Sequence, residues 1–189
     1  MLAAFLKVPR HLFVPTDAQQ EAYVDHPLPI GRGQTISQPY MVALMTQLLR
    51  LQGHERVLEL GTGSGYQMAI LAELALEVYS IERVPELAEQ ALGRLQQLGY
   101  LNVHISTGNG SLGWPEHAPF EGMIVAASAP NIPQPLVDQL GEEGRLVIPI
   151  GPHQVQTLTL LEKHHGELLV KEITSCVFVP LVGHYGWPP

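Results

Sequence analysis

The chain has 189 residues, of which 46% are hydrophobic, and this is enough for one well-buried domain and short for two. We therefore predict a single domain over residues 1–189. The formal net charge of −8 at pH 7 argues against a nucleic-acid partner, because proteins that bind phosphate backbones usually carry a clustered basic face.

The amino-terminal residues, the cysteine content and the histidines narrow the class of protein further. Residues 1–6 are apolar but too few to cross a membrane, and no cleavage-like site follows them, which predicts a soluble cytoplasmic protein. The single Cys176 cannot form an intramolecular disulfide, and it lies in a strand-like stretch where a buried structural thiol is expected. The nine histidines are scattered, so we predict no metal site.

The segment over residues 33–43 precedes a predicted helix whose apolar residues recur at helical spacing. Ser37 stands just before that helix, and Pro39 falls in its first turn, which is the arrangement of a serine N-cap. On the local pattern alone, capping explains Ser37 as well as a functional role does.

Residues 57–60 are of buried-strand type, a glycine-rich turn follows over residues 61–65, and residues 66–74 carry a helical pattern. Glycines at a strand-to-helix turn let the backbone approach a ligand, since no Cβ stands in the way. This segment therefore predicts a nucleotide site.

Three side chains indicate which nucleotide is bound. Tyr66 stands where a dinucleotide-binding turn needs a small third residue, which disfavours NAD. Glu59 would repel a pyrophosphate but suits the cationic amino group of a methionine moiety. Glu82 follows the apolar residues 78–81, at the place where nucleotide folds set a carboxylate against ribose hydroxyls. The pattern favours S-adenosyl-L-methionine.

The rest of the chain continues the alternation of strands and helices that builds a parallel sheet. The predicted elements are a helix over residues 85–98, strands over 103–107, 123–126 and 145–150, a helix over 134–140, and a hairpin of strands 157–162 and 168–178 that turns at 164–166. The predicted fold class is α/β, a Rossmann-like methyltransferase fold with a mostly parallel, doubly wound sheet and a carboxy-terminal antiparallel hairpin. Residues 53–189 form its core, and residues 1–52 are an amino-terminal segment that covers substrate and cofactor.

Several motifs together resemble the protein-L-isoaspartate O-methyltransferases, repair enzymes that methylate isoaspartyl carboxylates. The segment Ile36-Ser37-Gln38-Pro39 matches their I-S-x-P signature. The resemblance extends over nearly the whole chain, through Val8-Pro9-Arg10, the glycine-rich turn, residues 108–114, residues 120–133, the strand GRLVIPIG over 144–151 and the segment FVPLVG over 178–183. The glycine-rich turn and Glu82 alone would fit many methyltransferases. The serine loop and the last two segments are more specific to this family.

The resemblance implies an activity and a role for each site residue. The expected reaction moves a methyl from S-adenosyl-L-methionine to the free α-carboxylate of an L-isoaspartyl residue in damaged proteins and peptides, leaving S-adenosyl-L-homocysteine. Ser37 would hold the substrate carboxylate in line, as the catalytic residue. The residues expected to bind the cofactor are Thr35, Ile36, Ser37, Glu59, Gly61, Gly63, Ser64, Glu82, Asn109 and Gly110.

Two departures from the family pattern keep alternatives open. Only seven residues precede Val8, where the family usually has a helix, and Asn109 stands where an aspartate typically accepts from the adenine amino group. The alternatives are a methyltransferase of the same fold with another substrate, a non-catalytic protein that binds S-adenosyl-L-methionine, and a dehydrogenase. We expect a monomer.

Overall fold

The amino-terminal segment folds into short elements before the main sheet begins. The computed structural model describes residues 1–188. The first elements are helix α1 (Leu2–Lys7), strands β1 (Leu28–Gly31) and β2 (Gln34–Ile36), and helix α2 (Pro39–Leu49), with 3-10 turns at Arg10–Phe13 and Thr16–Glu21. The N-cap of α2 is Gln38, and no side chain caps the helix. The interpretation of Ser37 as an N-cap is therefore wrong, and its hydroxyl is not used to start the helix.

The main sheet has seven strands, and its topology is that of the predicted fold. The elements in chain order are β3 (Arg56–Leu60), α3 (Tyr66–Ala72), β4 (Glu77–Glu82), α4 (Pro85–Gln97), β5 (Val103–Thr107), β6 (Phe120–Val125), α5 (Gln134–Gln139), β7 (Leu140–Ile150), β8 (Gln156–His164) and β9 (Glu167–Cys176). The strand order is β5-β4-β3-β6-β7-β8-β9, parallel from β5 to β7 and antiparallel from β7 to β9. The order reverses between β3 and β6, which is where such sheets bind ligands.

One predicted boundary differs by several residues. The strand expected to start at residue 145 begins at Leu140, directly after α5. Its first residues include Glu142, Glu143 and a glycine, a polar composition typical of a turn. Leu140 pairs with Phe120 of β6 and Arg145 pairs with Gly122, and the register is irregular between these two pairs. The turn-like residues 141–144 therefore interrupt the ladder inside the strand, and Glu143 has a positive φ of 60° there.

Both faces of the sheet are covered, as expected for a parallel sheet that is wound twice. Along β3, Val57 belongs to one core cluster and Leu58 to the other, because successive side chains point to opposite faces. The first cluster contains residues of the amino-terminal segment, such as Phe13, with α2 and α3. The second contains Leu136 of α5 and Leu181 of the carboxy-terminal tail. Both ends of the chain are thus packed on the core.

Three single features can be compared with their predictions. Cys176 is a free, buried thiol, as predicted, and its burial raises the pKa of the thiol to about 11. Within residues 1–188, no three histidine, cysteine or acidic side chains are grouped as metal ligands. No helix in the same part of the chain is long and apolar enough to cross a membrane.

A buried ion cluster holds the carboxy-terminal hairpin to the sheet. Glu162 of β8 lies opposite Arg145 of β7 in the antiparallel register. Its side chain is 5% exposed, accepts from Arg145 Nε at 3.0 Å and forms a salt bridge with Nη2 at 2.9 Å, and it also accepts from Lys171 of β9. The hydrogen bond from Lys171, together with Arg145, holds the pKa of Glu162 below its ordinary value. The carboxylate is thus ionised at neutral pH.

Replacing Glu162 with glutamine is expected to lower the free energy of unfolding at pH 7 by about 2 kcal/mol, because partly buried Arg145 loses its charged partner. A carboxylate with a depressed pKa contributes stability above its ordinary pKa, and that stability is lost as the pH falls through the folded-state value. The difference between wild type and Glu162→Gln should therefore shrink at pH 3 in urea unfolding. The control is Glu172→Gln, on exposed β9. An equal loss at both pH values would contradict the prediction.

Candidate functional site

A cavity lies beyond the carboxyl ends of the parallel strands, between the amino-terminal segment and the carboxy-terminal tail. Its walls come from the β2–α2 loop, the glycine-rich turn, the loops after β4 and β6, and the tail. The lining residues include Gln34, Thr35, Ile36, Ser37, Val42, Met45, Glu59, Gly61, Thr62, Gly63, Ser64, Tyr66, Gln67, Glu82, Arg83, Val84, Gly110, Ala126, Ala127 and residues 179–182. Nine of the ten residues predicted to form the site are among them, and Asn109 is the exception.

The glycine-rich turn adopts a backbone that side chains would strain. Gly61, Gly63 and Gly65 have φ angles of +93°, +52° and +86°, in the left-handed region that favours glycine. The Gly61 amide donates to the Ile81 carbonyl at 2.9 Å, and the Gly65 amide donates to the Thr62 carbonyl at 2.8 Å. Gly65 is the N-cap of α3, so the turn delivers the chain directly into that helix. The backbone of the turn is therefore fixed at the edge of the cavity.

Glu82 joins the turn to the end of β4. Its carboxylate is 5% exposed and accepts from the Gly63 amide at 2.8 Å through one oxygen and from the Val84 amide at 2.9 Å through the other. Each carboxylate oxygen has a further lone pair that can accept a hydroxyl proton. Glu82 thus orders the turn while keeping acceptor sites for a ribose.

Glu59 is an acid buried completely beside the same cavity. Its Oε2 accepts from the Ser80 hydroxyl at 2.9 Å, and Ser80 lies 2.6 Å from the Thr62 hydroxyl. Its Oε1 has no hydrogen-bond partner among the described residues. Burial, with the nearby Glu82 charge, raises the pKa of Glu59 to about 8, against the hydrogen bond from Ser80. A buried acceptor without a partner fits the cationic amino group of a bound ligand.

Ser37 stands where two cavities meet. The second cavity lies between the start of α2 and the end of β9. Its lining consists of Pro27, Thr35, Ser37, Gln38, Met41, Ala126 and residues 175–179. Thr35, Ser37, Ala126 and Val179 line both cavities. A cofactor in the first cavity and a substrate in the second would therefore meet at Ser37.

Asn109 is not among the residues that line the cavity. Its Oδ1 accepts from the Ser111 amide at 3.1 Å and from the Ser111 hydroxyl at 2.8 Å, which caps the 3-10 turn Gly110–Leu112. The Ser111 hydroxyl in turn accepts from the Tyr185 amide in the tail, at 3.1 Å. The asparagine is thus linked through Ser111 to the carboxy-terminal tail.

Sequence reasoning missed several cavity residues. Residues 179–182 of the tail line the cavity, although the sequence analysis used this segment only as a family signature. Val42 and Met45 of α2 also line it, but in the sequence they are part of an ordinary apolar stripe. The tail could have been found from its VPLVG motif, whereas nothing distinguishes the two α2 side chains from core residues.

Comparisons with known proteins agree on one family. The family model for protein-L-isoaspartate(D-aspartate) O-methyltransferase matches residues 1–186. The protein-L-isoaspartate O-methyltransferase of Methanoculleus marisnigri is 51% identical over 187 residues, which are 99% of this chain and 85% of that protein. Protein-L-isoaspartate O-methyltransferase 1 of Syntrophobacter fumaroxidans is 56% identical over 187 residues, covering 99% of this chain and 87% of that protein.

Solved structures show the same likeness in three dimensions. A protein-L-isoaspartate O-methyltransferase superposes with a TM-score of 0.87 at 29% identity, covering 97% of this chain, which spans 61% of the length of that one. A structure from Plasmodium falciparum, described as a protein-L-isoaspartate O-methyltransferase in complex with S-adenosyl-L-homocysteine, has a TM-score of 0.83 at 29% identity. It covers 95% of this chain and 88% of that one. The predicted fold and family are both confirmed, and the chain belongs to the protein-L-isoaspartate(D-aspartate) O-methyltransferase family.

Proposed function

We propose that this enzyme repairs damaged proteins and peptides by moving a methyl from S-adenosyl-L-methionine to the free α-carboxylate of L-isoaspartyl residues. Besides the family, the observation that carries the proposal is the position of Ser37 at the junction of two cavities. One cavity has the buried acids and glycine-rich turn of a nucleotide site. The other is open to a polypeptide, because its lining includes the segment that follows β9, where Val177 is 71% exposed.

The reaction requires the protein to align the acceptor carboxylate with the methyl group, and it does not require a general base. When bound, S-adenosyl-L-methionine supplies an electrophilic methyl group on a sulfonium centre. A peptide α-carboxylate has an ordinary pKa of roughly 3.5, so it is already ionised at pH 7. Ser37 donates its hydroxyl to that carboxylate and holds one oxygen in line with the methyl carbon. Ile36, which is buried, excludes water beside it.

The cofactor residues divide by the part of the ligand that they contact. Glu59 accepts from the amino group, because its Oε1 lacks a partner. Glu82 accepts from the ribose hydroxyls. Gly61, Gly63 and Ser64 line the methionine and ribose side, Thr35 lies against the cofactor from the covering segment, and Gly110 contacts the adenine side. The hydrogen bonds of Asn109 support an indirect role through Ser111 in place of direct contact with adenine.

We further propose the organisation and setting of the protein. Residues 1–52 act as a cover for substrate and cofactor on the core of residues 53–189, in one domain. Phe13 and Met45 of the amino-terminal segment pack in the same cluster as Met68 of the core, which supports the placement of both parts in one domain. The enzyme works as a monomer in the cytoplasm, without a nucleic-acid partner. The net charge of −8 supports the last point, and the free thiol of Cys176 is compatible with a reducing compartment.

The central test measures transfer of labelled methyl to an isoaspartyl peptide, with the matching aspartyl peptide as control. We expect Ser37→Ala to lower kcat roughly tenfold to a hundredfold, while the affinity for S-adenosyl-L-homocysteine stays within about twofold, since alignment is lost but not cofactor contacts. Glu82→Ala should instead weaken that affinity at least tenfold, because the ribose acceptors and the order of the turn are lost. Isothermal titration with S-adenosyl-L-homocysteine distinguishes the effects expected for the two variants.

Activity of the wild type on neither peptide would point to another substrate for the same fold or to a protein that only binds the cofactor. An equal loss of cofactor affinity in Ser37→Ala and Glu82→Ala would contradict the division of roles between the two cavities.

The raised pKa of Glu59 couples cofactor binding to pH. In the cofactor-free protein the acid is largely neutral below its pKa of about 8. A bound ammonium group favours the ionised carboxylate, so binding releases a proton, and affinity rises from pH 6 to pH 8. Stability follows the opposite direction: for an acid whose folded-state pKa is raised, the contribution is complete below its ordinary pKa and is lost as the pH rises through about 8.

Glu59→Gln is therefore expected to do two things. The neutral amide removes the pH dependence of S-adenosyl-L-homocysteine affinity between pH 6 and pH 8 and weakens binding at pH 8 by roughly tenfold or more. It also stabilises the cofactor-free protein at pH 8 by about 2–4 kcal/mol, because no carboxylate must ionise in the core. Titration in two buffers of different ionisation enthalpy measures the released proton. Exposed Glu89→Gln is the matched control, and a pH-independent wild type would refute the coupling.

The tail is held over the cavity by a tight contact at Gly183. A Cβ at this position would overlap Asn109 Oδ1 and would lie 2.7 Å from the Ser111 hydroxyl. The neighbouring residues 179–182 line the cofactor cavity. A side chain at Gly183 would thus push the tail away from Ser111 and open the cavity wall.

Gly183→Ala is expected to raise the dissociation constant of S-adenosyl-L-homocysteine roughly tenfold and to speed its release, because the tail no longer closes the wall. The control is Gly93→Ala in α4, where a Cβ meets nothing within 4 Å. That variant should bind normally and gain up to about 1 kcal/mol of stability from its better helix propensity. Stopped-flow measurement of S-adenosyl-L-homocysteine release and titration of its affinity check both variants. Unchanged binding in Gly183→Ala would exclude the tail from cofactor retention.

A further inference from the structure

Arg10 belongs to the Val8-Pro9-Arg10 segment, to which the proposed function gives no role. Arg10 is 1% exposed. Two N–H groups of its guanidinium donate to backbone carbonyls that are distant in sequence. Nε donates to the Ala22 carbonyl at 2.6 Å, and Nη2 donates to the Ser37 carbonyl at 2.8 Å. Nη1 has no partner within residues 1–188. The buried guanidinium of Arg10 therefore joins the start of the chain to the Ser37 loop.

This cation is buried at a cost that packing alone does not explain. Within the described residues no carboxylate forms an ion pair with it, and its guanidinium carbon lies 4.9 Å from the centre of the Tyr66 ring. Burial lowers the pKa of Arg10, while the nearby Tyr66, Tyr23 and Asp25 groups act in the opposite direction. Removing a charge from water is expensive, and an apolar side chain of similar size often packs as well or better. A role in positioning accounts for a guanidinium here.

The position of the Arg10 guanidinium matches a positioning role. Ser37 lies between β2, which ends at Ile36, and α2, which begins at Pro39. The carbonyl of Ser37 shares a planar peptide unit with Gln38, so holding that oxygen fixes the backbone on the carboxyl side of Ser37. Arg10 also lies over the ring of Tyr66, a residue that lines the cofactor cavity. Arg10 thus connects the serine loop to the wall of the cofactor site.

We propose that Arg10 is a positioning residue for methyl transfer, which acts by holding the Ser37 carbonyl so that the Ser37 hydroxyl meets the acceptor carboxylate. The inference rests on the proposed role of Ser37. Arg10 touches neither substrate nor cofactor in this arrangement, so its loss misaligns the substrate and leaves the cofactor contacts of Glu59 and Glu82 in place.

Arg10→Lys tests the proposal, because a lysine keeps the charge but has no planar fork to reach two carbonyls at once. We expect kcat on an isoaspartyl peptide to fall roughly tenfold or more, with the dissociation constant of S-adenosyl-L-homocysteine within about twofold of wild type. The matched control is Arg145→Lys, which disrupts the contacts of a partly buried arginine of β7 with Glu162 and should leave kcat unchanged. Arg10→Gln, which is neutral and cheaper to bury, serves the same comparison if the lysine variant does not fold.

The same substitution in a Ser37→Ala background separates this inference from the proposed function. If Arg10 acts through Ser37, Arg10→Lys lowers kcat in the wild type but causes no further loss in Ser37→Ala. Equal fold losses in both backgrounds, or a loss shared by Arg145→Lys, would overturn the inference while leaving the role of Ser37 intact. If Ser37→Ala itself keeps full kcat, the proposed function of that residue has failed instead.

Discussion

Two buried carboxylates at the ends of adjacent parallel strands set the organisation of the cofactor site. Glu82 ends β4 and accepts from the amide of Gly63, so the glycine-rich turn after β3 is ordered by the neighbouring strand. Glu59 is the penultimate residue of β3, and one of its carboxylate oxygens has no hydrogen-bond partner among the described residues. Both acids accept hydrogen bonds in the core, Glu82 from the amides of the turn and of Val84 and Glu59 from Ser80.

The amino-terminal side of the cavity depends on a different kind of support. The amino-terminal segment carries no long helix, and its elements are short helices and strands, 3-10 turns and an 11-residue helix. Hydrogen bonds from one buried arginine to two carbonyls hold it in shape. The tail closes the opposite wall through Ser111. The sheet thus carries the glycine-rich turn, while the two chain ends, each fastened by a few polar contacts, enclose the cavity.

Much of the fold and site could be predicted because the signals are local. The glycine-rich turn needs glycines at positive φ, and Glu82 follows its strand directly, so both are visible in the chain order. Long-range contacts explain the failures. The strand β7 begins at Leu140 because Leu140 pairs with Phe120 of β6, although the turn-like residues after it interrupt the register. Ser37 has the pattern of an N-cap, but the helix starts one residue later and leaves the hydroxyl for another use.

The sequence by itself determined the order of elements, the class of cofactor and the family, because periodicity, glycine placement and motif residues act over a few neighbouring positions. Only the tertiary structure decided what those residues contact. Asn109 Oδ1 accepts from Ser111, residues 179–182 form a cavity wall, and Arg10 reaches Ser37 across 27 positions. The physical reason is that hydrogen bonds and burial between distant segments depend on how the chain ends return to the sheet, and no local pattern encodes that return.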